Sequence, residues 1–255
     1  MNTTRTSDLF VSDFPFSLIC SKVGGVEATL AALAPQLQLS RPGPLLPVLP
    51  ALEGLLPERG LRPGTAVSVT GGGTALLLAL AAAATSAGTW CAAVGFDGLG
   101  LVAAAEAGVD LAHLVVVEAP GAQWPQVAAA LADGVGVLLL RPTGAVSGPM
   151  AERLVTVARR GGCALVVAGP WPGARVRLEV VSRSWGGVGL GRGRLKARRI
   201  VVRSGGRGAA ARGGETELWL PDAQGAIRAA DPLTDALSAG RRPGPRPVRG
   251  PMAVV

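Results

Sequence analysis

The stretch "VSVTGGGTALLLAL", Val67–Leu80, has the residue types and the order that phosphate chemistry uses. An apolar strand pattern runs into three glycines and a threonine, and an apolar helical pattern follows. In a phosphate-binding loop, backbone N–H groups cradle the phosphates, a lysine neutralises them, and a Ser or Thr hydroxyl holds Mg²⁺. Here no lysine or arginine occurs between residues 64 and 140. The stretch therefore fits a nucleotide site, a dismantled nucleotide site or a tight strand-to-helix turn. Its candidate residues are Gly71, Gly72, Gly73 and Thr74.

Other reactive residue types are scarce and scattered. His113 is the only histidine, and the three cysteines, Cys20, Cys91 and Cys163, are far apart and flanked by apolar residues. This spacing argues against a zinc site and against a His-based triad. Buried, reduced thiols in a cytoplasmic protein account for the cysteines. We therefore expect no bound metal, no cofactor and no catalytic residue.

Charge is distributed unevenly along the 255 residues. Residues 1–150 carry 6 Lys/Arg against 10 Asp/Glu, whereas residues 151–255 carry 19 against 7. Such asymmetry suggests a basic surface for nucleic acid or an acidic partner, or else a solvated basic face. Candidate DNA contacts are Arg192, Arg194, Lys196, Arg198 and Arg199. Alternation in a strand would place Arg194, Lys196 and Arg198 on one face. No aromatic residue interleaves with them, so a base-stacking platform is not supported.

The elements that must position these residues alternate from Thr65 onwards. Apolar strand patterns alternate with helical patterns as far as about residue 170, which predicts an α/β fold with a mainly parallel sheet flanked by helices. After Pro170 the pattern indicates antiparallel strands. We divide the chain into a helical lead-in with a Pro-rich linker (1–44), a core domain (45–230) and a disordered basic tail (231–255). The apolar run Ala75–Ala84 is ten residues long, too short for a membrane span, which needs about twenty.

Several phrases resemble the RecA-like ATPase core. The run "GLLPERGLRPGTAVSVTGGGTALLLALAAAATSAGTWCAAVGFD" follows that family's order of strand, Gly-rich loop, helix and second strand. The phrase "AEAGVDLAHLVVVEAP" resembles the family's junction between a helix and the third strand. Within the superfamily the chain is most similar to ImuA-type proteins, in particular the divergent ImuA-prime form of actinobacteria. The resemblance extends from about Leu45 to Arg228 and includes "SRSWGGVGLGRGRLKARRIVVRSGG" and "ETELWLPDAQGAIR".

The family's catalytic positions depart from the active pattern. The fourth strand, "VGVLLLRP", would end in a magnesium-ordering aspartate (the Walker B position), and it ends in Arg141. Asp97 matches the family's aspartate after the second strand, and no catalytic glutamate is evident there. With the loop lysine also missing, we expect a RecA-like fold without ATPase activity.

The resemblance implies a role in damage-induced mutagenic DNA synthesis. Its implied partners are an inactive Y-family polymerase relative of the same cassette and, through it, an error-prone polymerase. Two alternatives stay open: an ATP-binding, recombinase-like DNA-binding protein, and a cell-division inhibitor with a degenerate RecA-like fold. DNA contact and a homo-oligomer also stay open, and no membrane association is expected. The candidate partner contacts are Phe10, Phe14, Phe16 and Trp185.

Overall fold

The fold is described from a computed structural model, which covers residues 19–20, 45–189 and 192–231, with backbone alone for 19–20, 188–189 and 192–194. Nearly all of the sequence-predicted lead-in, and the predicted tail beyond Asp231, lie outside the described residues.

A ten-stranded sheet forms the centre of the fold, with the strand order β1-β6-β5-β7-β8-β4-β9-β10-β11-β12. Every pairing from β1 to β9 is parallel, and the last three pairings are antiparallel. A separate antiparallel pair joins β2 to β3. The strands are β1 Ile19–Cys20, β2 Leu46–Pro47, β3 Gly60–Leu61, β4 Ala66–Thr70, β5 Cys91–Val94, β6 Leu114–Val117, β7 Val137–Leu140, β8 Ala164–Ala168, β9 Val176–Gly189, β10 Arg192–Gly206, β11 Gly214–Trp219 and β12 Arg228–Ala229.

In the described part of the chain, four α-helices connect the parallel strands. They are α1 Gly73–Ser86, α2 Leu101–Glu106, α3 Trp124–Ala132 and α4 Gly148–Gly161. The last of these shows how the sequence sets helix ends. The Ser147 side chain accepts a hydrogen bond from the Met150 N–H at the start of α4, and Gly162 ends it with a left-handed φ of 72°.

Both faces of the sheet are covered, which explains the continuous apolar runs in the central strands. On one face, helix α1 and the 3₁₀ helix Pro50–Leu55 pack around Leu76 and Leu52. On the other face, helices α3 and α4 pack around Trp124 and Leu154. The sequence-predicted class, an α/β fold with a mainly parallel sheet and antiparallel C-terminal strands, is confirmed. No helix among the described residues is long and apolar enough to span a membrane.

Candidate functional site

The candidate phosphate loop is a very short connector. Strand β4 ends at Thr70 and helix α1 begins at Gly73, so two residues join them. A phosphate-binding motif instead places about four residues between its first glycine and the Gly-Lys-Ser/Thr that opens the helix, and the loop wraps around the phosphate. Gly72 is the N-cap and makes no side-chain cap, so Thr74 lies in the first turn. Because Gly72 is the N-cap residue, Thr74 does not cap the helix.

Packing against strand β9 explains the first two glycines. Gly71 has a φ of +69°, and a Cβ built there would lie 2.8 Å from the carbonyl oxygen of Val180. A Cβ on Gly72 would lie 3.0 Å from Cγ2 of the same valine. Gly73 has a φ of +66°, and its built Cβ meets no atom within 4 Å. The triplet therefore has the conformation and contacts of a tight turn laid on β9.

Arg141 brings a positive charge to this turn from the end of strand β7. Its Nη2 atom donates a hydrogen bond to Oγ1 of Thr74 at 2.9 Å. Its guanidinium carbon lies 4.6 Å from the ring centroid of the buried Phe96. The local sequence holds no cation near the turn, as the absence of Lys and Arg between residues 64 and 140 shows. A residue 67 positions away supplies the charge.

The site does not fit a magnesium–nucleotide complex of the kind that RecA-like ATPases use. A depression of about 380 Å³ is lined by the glycine turn, Leu77, Arg141 and Gly169. In it, the hydroxyl that would ligate Mg²⁺ accepts the hydrogen bond from Arg141. A guanidinium stands where the motif needs a carboxylate, and it repels a divalent cation. Asp97, the family-matched acidic residue, is exposed in the turn after β5.

The candidate DNA contacts lie on both faces of strand β10. Arg198 is paired with Trp185 of β9 and lies 5.5 Å from its ring centroid. Arg199 points to the opposite face, where its Nη2 lies 2.6 Å from the Glu217 carboxylate. Lys196 is exposed. The side chains of Arg192 and Arg194 lie outside the described residues. Arg199 is therefore neutralised within the chain, and DNA contact by the rest of the run stays a prediction.

Trp185 stands apart from the other tryptophans. Trp124 and Trp171 are buried and Trp90 and Trp219 are half-buried, whereas Trp185 is 50% exposed. This exposure meets the first requirement of a partner contact. The other candidate partner residues, Phe10, Phe14 and Phe16, lie outside the described residues.

Cys91, Cys163 and His113 occupy structural positions. Burial raises the pKa of Cys91 to about 12 and also raises the pKa of Cys163, so both thiols stay protonated at neutral pH. Nδ1 of His113 lies 2.7 Å from Asp110, whose carboxylate also accepts a hydrogen bond from the Ala112 N–H. In the part of the chain that the structure describes, no group of three His, Cys, Asp or Glu residues is placed to hold a metal ion.

Comparison with solved structures assigns the fold to a class. A crystal structure of the RadB recombinase aligns with a TM-score of 0.52 at 14% sequence identity, covering 71% of this chain and 97% of that one. The fold is therefore RecA-like.

Comparison of sequences assigns the family. The family model of the MT3502 N-terminal domain matches residues 54–173. An uncharacterized protein of Mycobacterium tuberculosis, Rv3395c, is 37% identical over 177 residues, covering 66% of this chain and 82% of the mycobacterial protein. The chain belongs to the same family as this protein.

Proposed function

We propose that this chain is a non-catalytic RecA-like accessory protein of damage-induced mutagenic translesion synthesis. It acts by binding other proteins and not by hydrolysing ATP. Its partners are the inactive Y-family polymerase relative of the same gene cassette and, through that protein, an error-prone polymerase.

The contact between Arg141 and Thr74 is the observation that carries the non-catalytic part. The hydrogen bond of 2.9 Å uses the hydroxyl that a working site gives to Mg²⁺. A two-residue connector leaves no backbone loop to enclose a phosphate. ATPase catalysis of this type depends on placing positive and metal charge on the transferring phosphate, and each part contributes several kcal/mol. We therefore infer that this RecA-like core, which lacks these parts, functions through the surfaces that bind other molecules.

The mutagenesis role is supported by the resemblance to ImuA-type proteins, which covers most of the described core. The exposed Trp185 is one candidate partner contact, and Phe10, Phe14 and Phe16, which lie outside the described residues, are the other predicted contacts. Tryptophan and phenylalanine are enriched at interface centres, where truncation costs the most affinity.

Deletion of the gene tests the role. We expect the deletion strain to lose damage-induced mutations while its growth without damage is unchanged. A plasmid copy should restore mutagenesis, and a plasmid copy carrying Thr74→Ala should restore it equally well, because no nucleotide chemistry is needed. Unchanged induced mutagenesis in the deletion strain contradicts the proposal. Altered cell length with normal mutagenesis indicates the cell-division alternative instead.

A further inference from the structure

The outer part of the β9–β10 hairpin carries an unusual surface. The register shifts between the pairs Val202–Val180 and Val201–Ser182, and residues 181–187 beyond this shift are all exposed. Trp185 is 50% exposed and Leu195 is 55% exposed. An exposed tryptophan is the kind of side chain that anchors a protein interface.

The basic residues around Trp185 have no carboxylate partner among the described residues. Arg183 and Trp185 are two residues apart on β9, and Arg198 is the cross-strand partner of Trp185, so all three share one face. The Arg198 Nε donates a hydrogen bond to the carbonyl oxygen of Leu220, a neutral group, at 2.8 Å. Its Nη2 is buried without a partner. Burial and then the charge of Arg183 lower the pKa of Arg198.

On the opposite face of the same hairpin, two arginines form ion pairs with glutamates. There Arg199 pairs with Glu217 at 2.6 Å, and Arg203 pairs with Glu215 at 2.8 Å and Glu179 at 3.7 Å. On this face Arg199 and Arg203 are therefore neutralised within the chain, whereas Arg183 and Arg198 on the other face have no carboxylate partner among the described residues.

We propose that Arg183, Trp185 and Arg198, with the exposed Lys196 near Arg198 on β10, form a docking site for an acidic, apolar segment of the polymerase relative. We name these four residues the hairpin patch. Carboxylates of the segment meet Arg183 and Arg198, and a leucine or aromatic side chain packs on Trp185. Only the identity of the partner rests on the proposed function.

The mixed chemistry of the patch favours a protein segment over DNA. A single-stranded DNA site combines basic residues with several aromatic side chains for successive bases. The hairpin patch offers one aromatic ring, that of Trp185, with Arg198 against it. Apolar exposure between positive charges is complementary to an acidic segment that has its own apolar anchor.

Affinity measurements with the full chain and the purified polymerase relative test the site. Trp185→Ala removes the anchor, and we expect affinity to fall about thirtyfold or more. Arg183→Glu should also weaken binding, by at least tenfold at low salt and less at high salt. Arg177→Glu is the matched control: the residue is exposed on the same strand but faces the other side, beside Ser68 in a groove of about 770 Å³. It should bind within about twofold of wild type. Thermal unfolding of each variant checks that it is folded.

Overlapping peptides of the polymerase relative locate the segment. The bound peptides should be rich in Asp and Glu around a Leu or Phe, and Trp185→Ala should abolish their binding. If both patch variants bind the partner as wild type does, the patch is wrong and the proposed function stands. If wild type does not bind the partner at all, both fall. A fluorescent single-stranded oligonucleotide of about 20 nucleotides is the last probe. Loss of its binding in the patch variants, with partner binding intact, makes the patch a DNA site and overturns the inference.

Discussion

Nη2 of Arg141, at the end of strand β7, donates a hydrogen bond to Oγ1 of Thr74, in the first turn of helix α1, at 2.9 Å. This bond joins two positions that a RecA-like ATPase would use to hold one magnesium ion. In this chain the side chains at the two positions are hydrogen-bonded to each other instead. The contact stabilises the junction of strand and helix.

A double-mutant cycle measures that contact. Arg141→Met keeps the length of the side chain and removes the charge, and Thr74→Val keeps the shape and removes the acceptor. Each single change should lower the free energy of unfolding by about 1–2 kcal/mol, because a hydrogen bond to a charged group in a half-buried site is lost. The double variant should cost less than the sum of the two, with a coupling energy of about 1 kcal/mol. Urea unfolding at neutral pH gives all four values. Additive effects would show that the two side chains do not interact in solution.

The glycine turn gives a second test, with a matched control two residues away. Gly71→Ala and Gly73→Ala both force a side chain into a left-handed conformation, which costs about 1–2 kcal/mol. At position 71 the new Cβ would also lie 2.8 Å from the Val180 carbonyl oxygen, whereas at position 73 it meets nothing within 4 Å. Gly71→Ala should therefore destabilise the protein clearly more than Gly73→Ala in thermal unfolding. Equal losses would mean that the turn does not rest on strand β9.

The ion pairs of Glu58 predict a specific pH dependence. Arg62 Nε donates to one carboxylate oxygen at 2.7 Å and Arg175 Nη2 donates to the other at 2.8 Å. The hydrogen bond from Arg62, reinforced by the charges of both arginines, lowers the pKa of Glu58. This stabilisation is fully present above the unfolded pKa of about 4.3, and it is lost as the pH falls through the lower folded value.

Glu58→Gln should therefore reduce the loss of stability that occurs as the pH falls into the acidic range. Denaturant midpoints taken between about pH 6 and pH 3 should fall less steeply for this variant than for wild type. Glu106→Gln, at an exposed carboxylate elsewhere in the chain, should follow the wild-type curve. If wild type and Glu58→Gln lose stability identically as the pH falls, the Glu58 ion pairs do not stabilise the folded protein.

The fold was predictable from sequence because its signals are local. Strands β4 to β8 are apolar runs separated by helical patterns and glycine turns, and each can be recognised within about fifteen residues. The replacement of the Walker B aspartate by Arg141 was also predictable, because the residue directly follows an apolar strand. These features depend on neighbours in the chain.

The geometry of the site depends on contacts that sequence spacing does not show. Thr74 and Arg141 are 67 positions apart, so their hydrogen bond had no local signal. Alternation along β10 places Arg198 and Arg199 on opposite faces. Which of the two would be neutralised depended on the register that brings Glu217 beside Arg199. Pair registers of this kind are set by packing and turn geometry and not by composition.

Titration of the purified protein with MgATP, by calorimetry and by phosphate release with and without single-stranded DNA, shows whether the protein binds or hydrolyses ATP. We predict no saturable binding at up to about 1 mM nucleotide, which corresponds to a binding free energy weaker than about −4 kcal/mol. We also predict that phosphate release stays at the level of heat-denatured protein. Saturable binding or hydrolysis that disappears in Thr74→Ala would contradict the claim that this RecA-like protein acts without nucleotide chemistry.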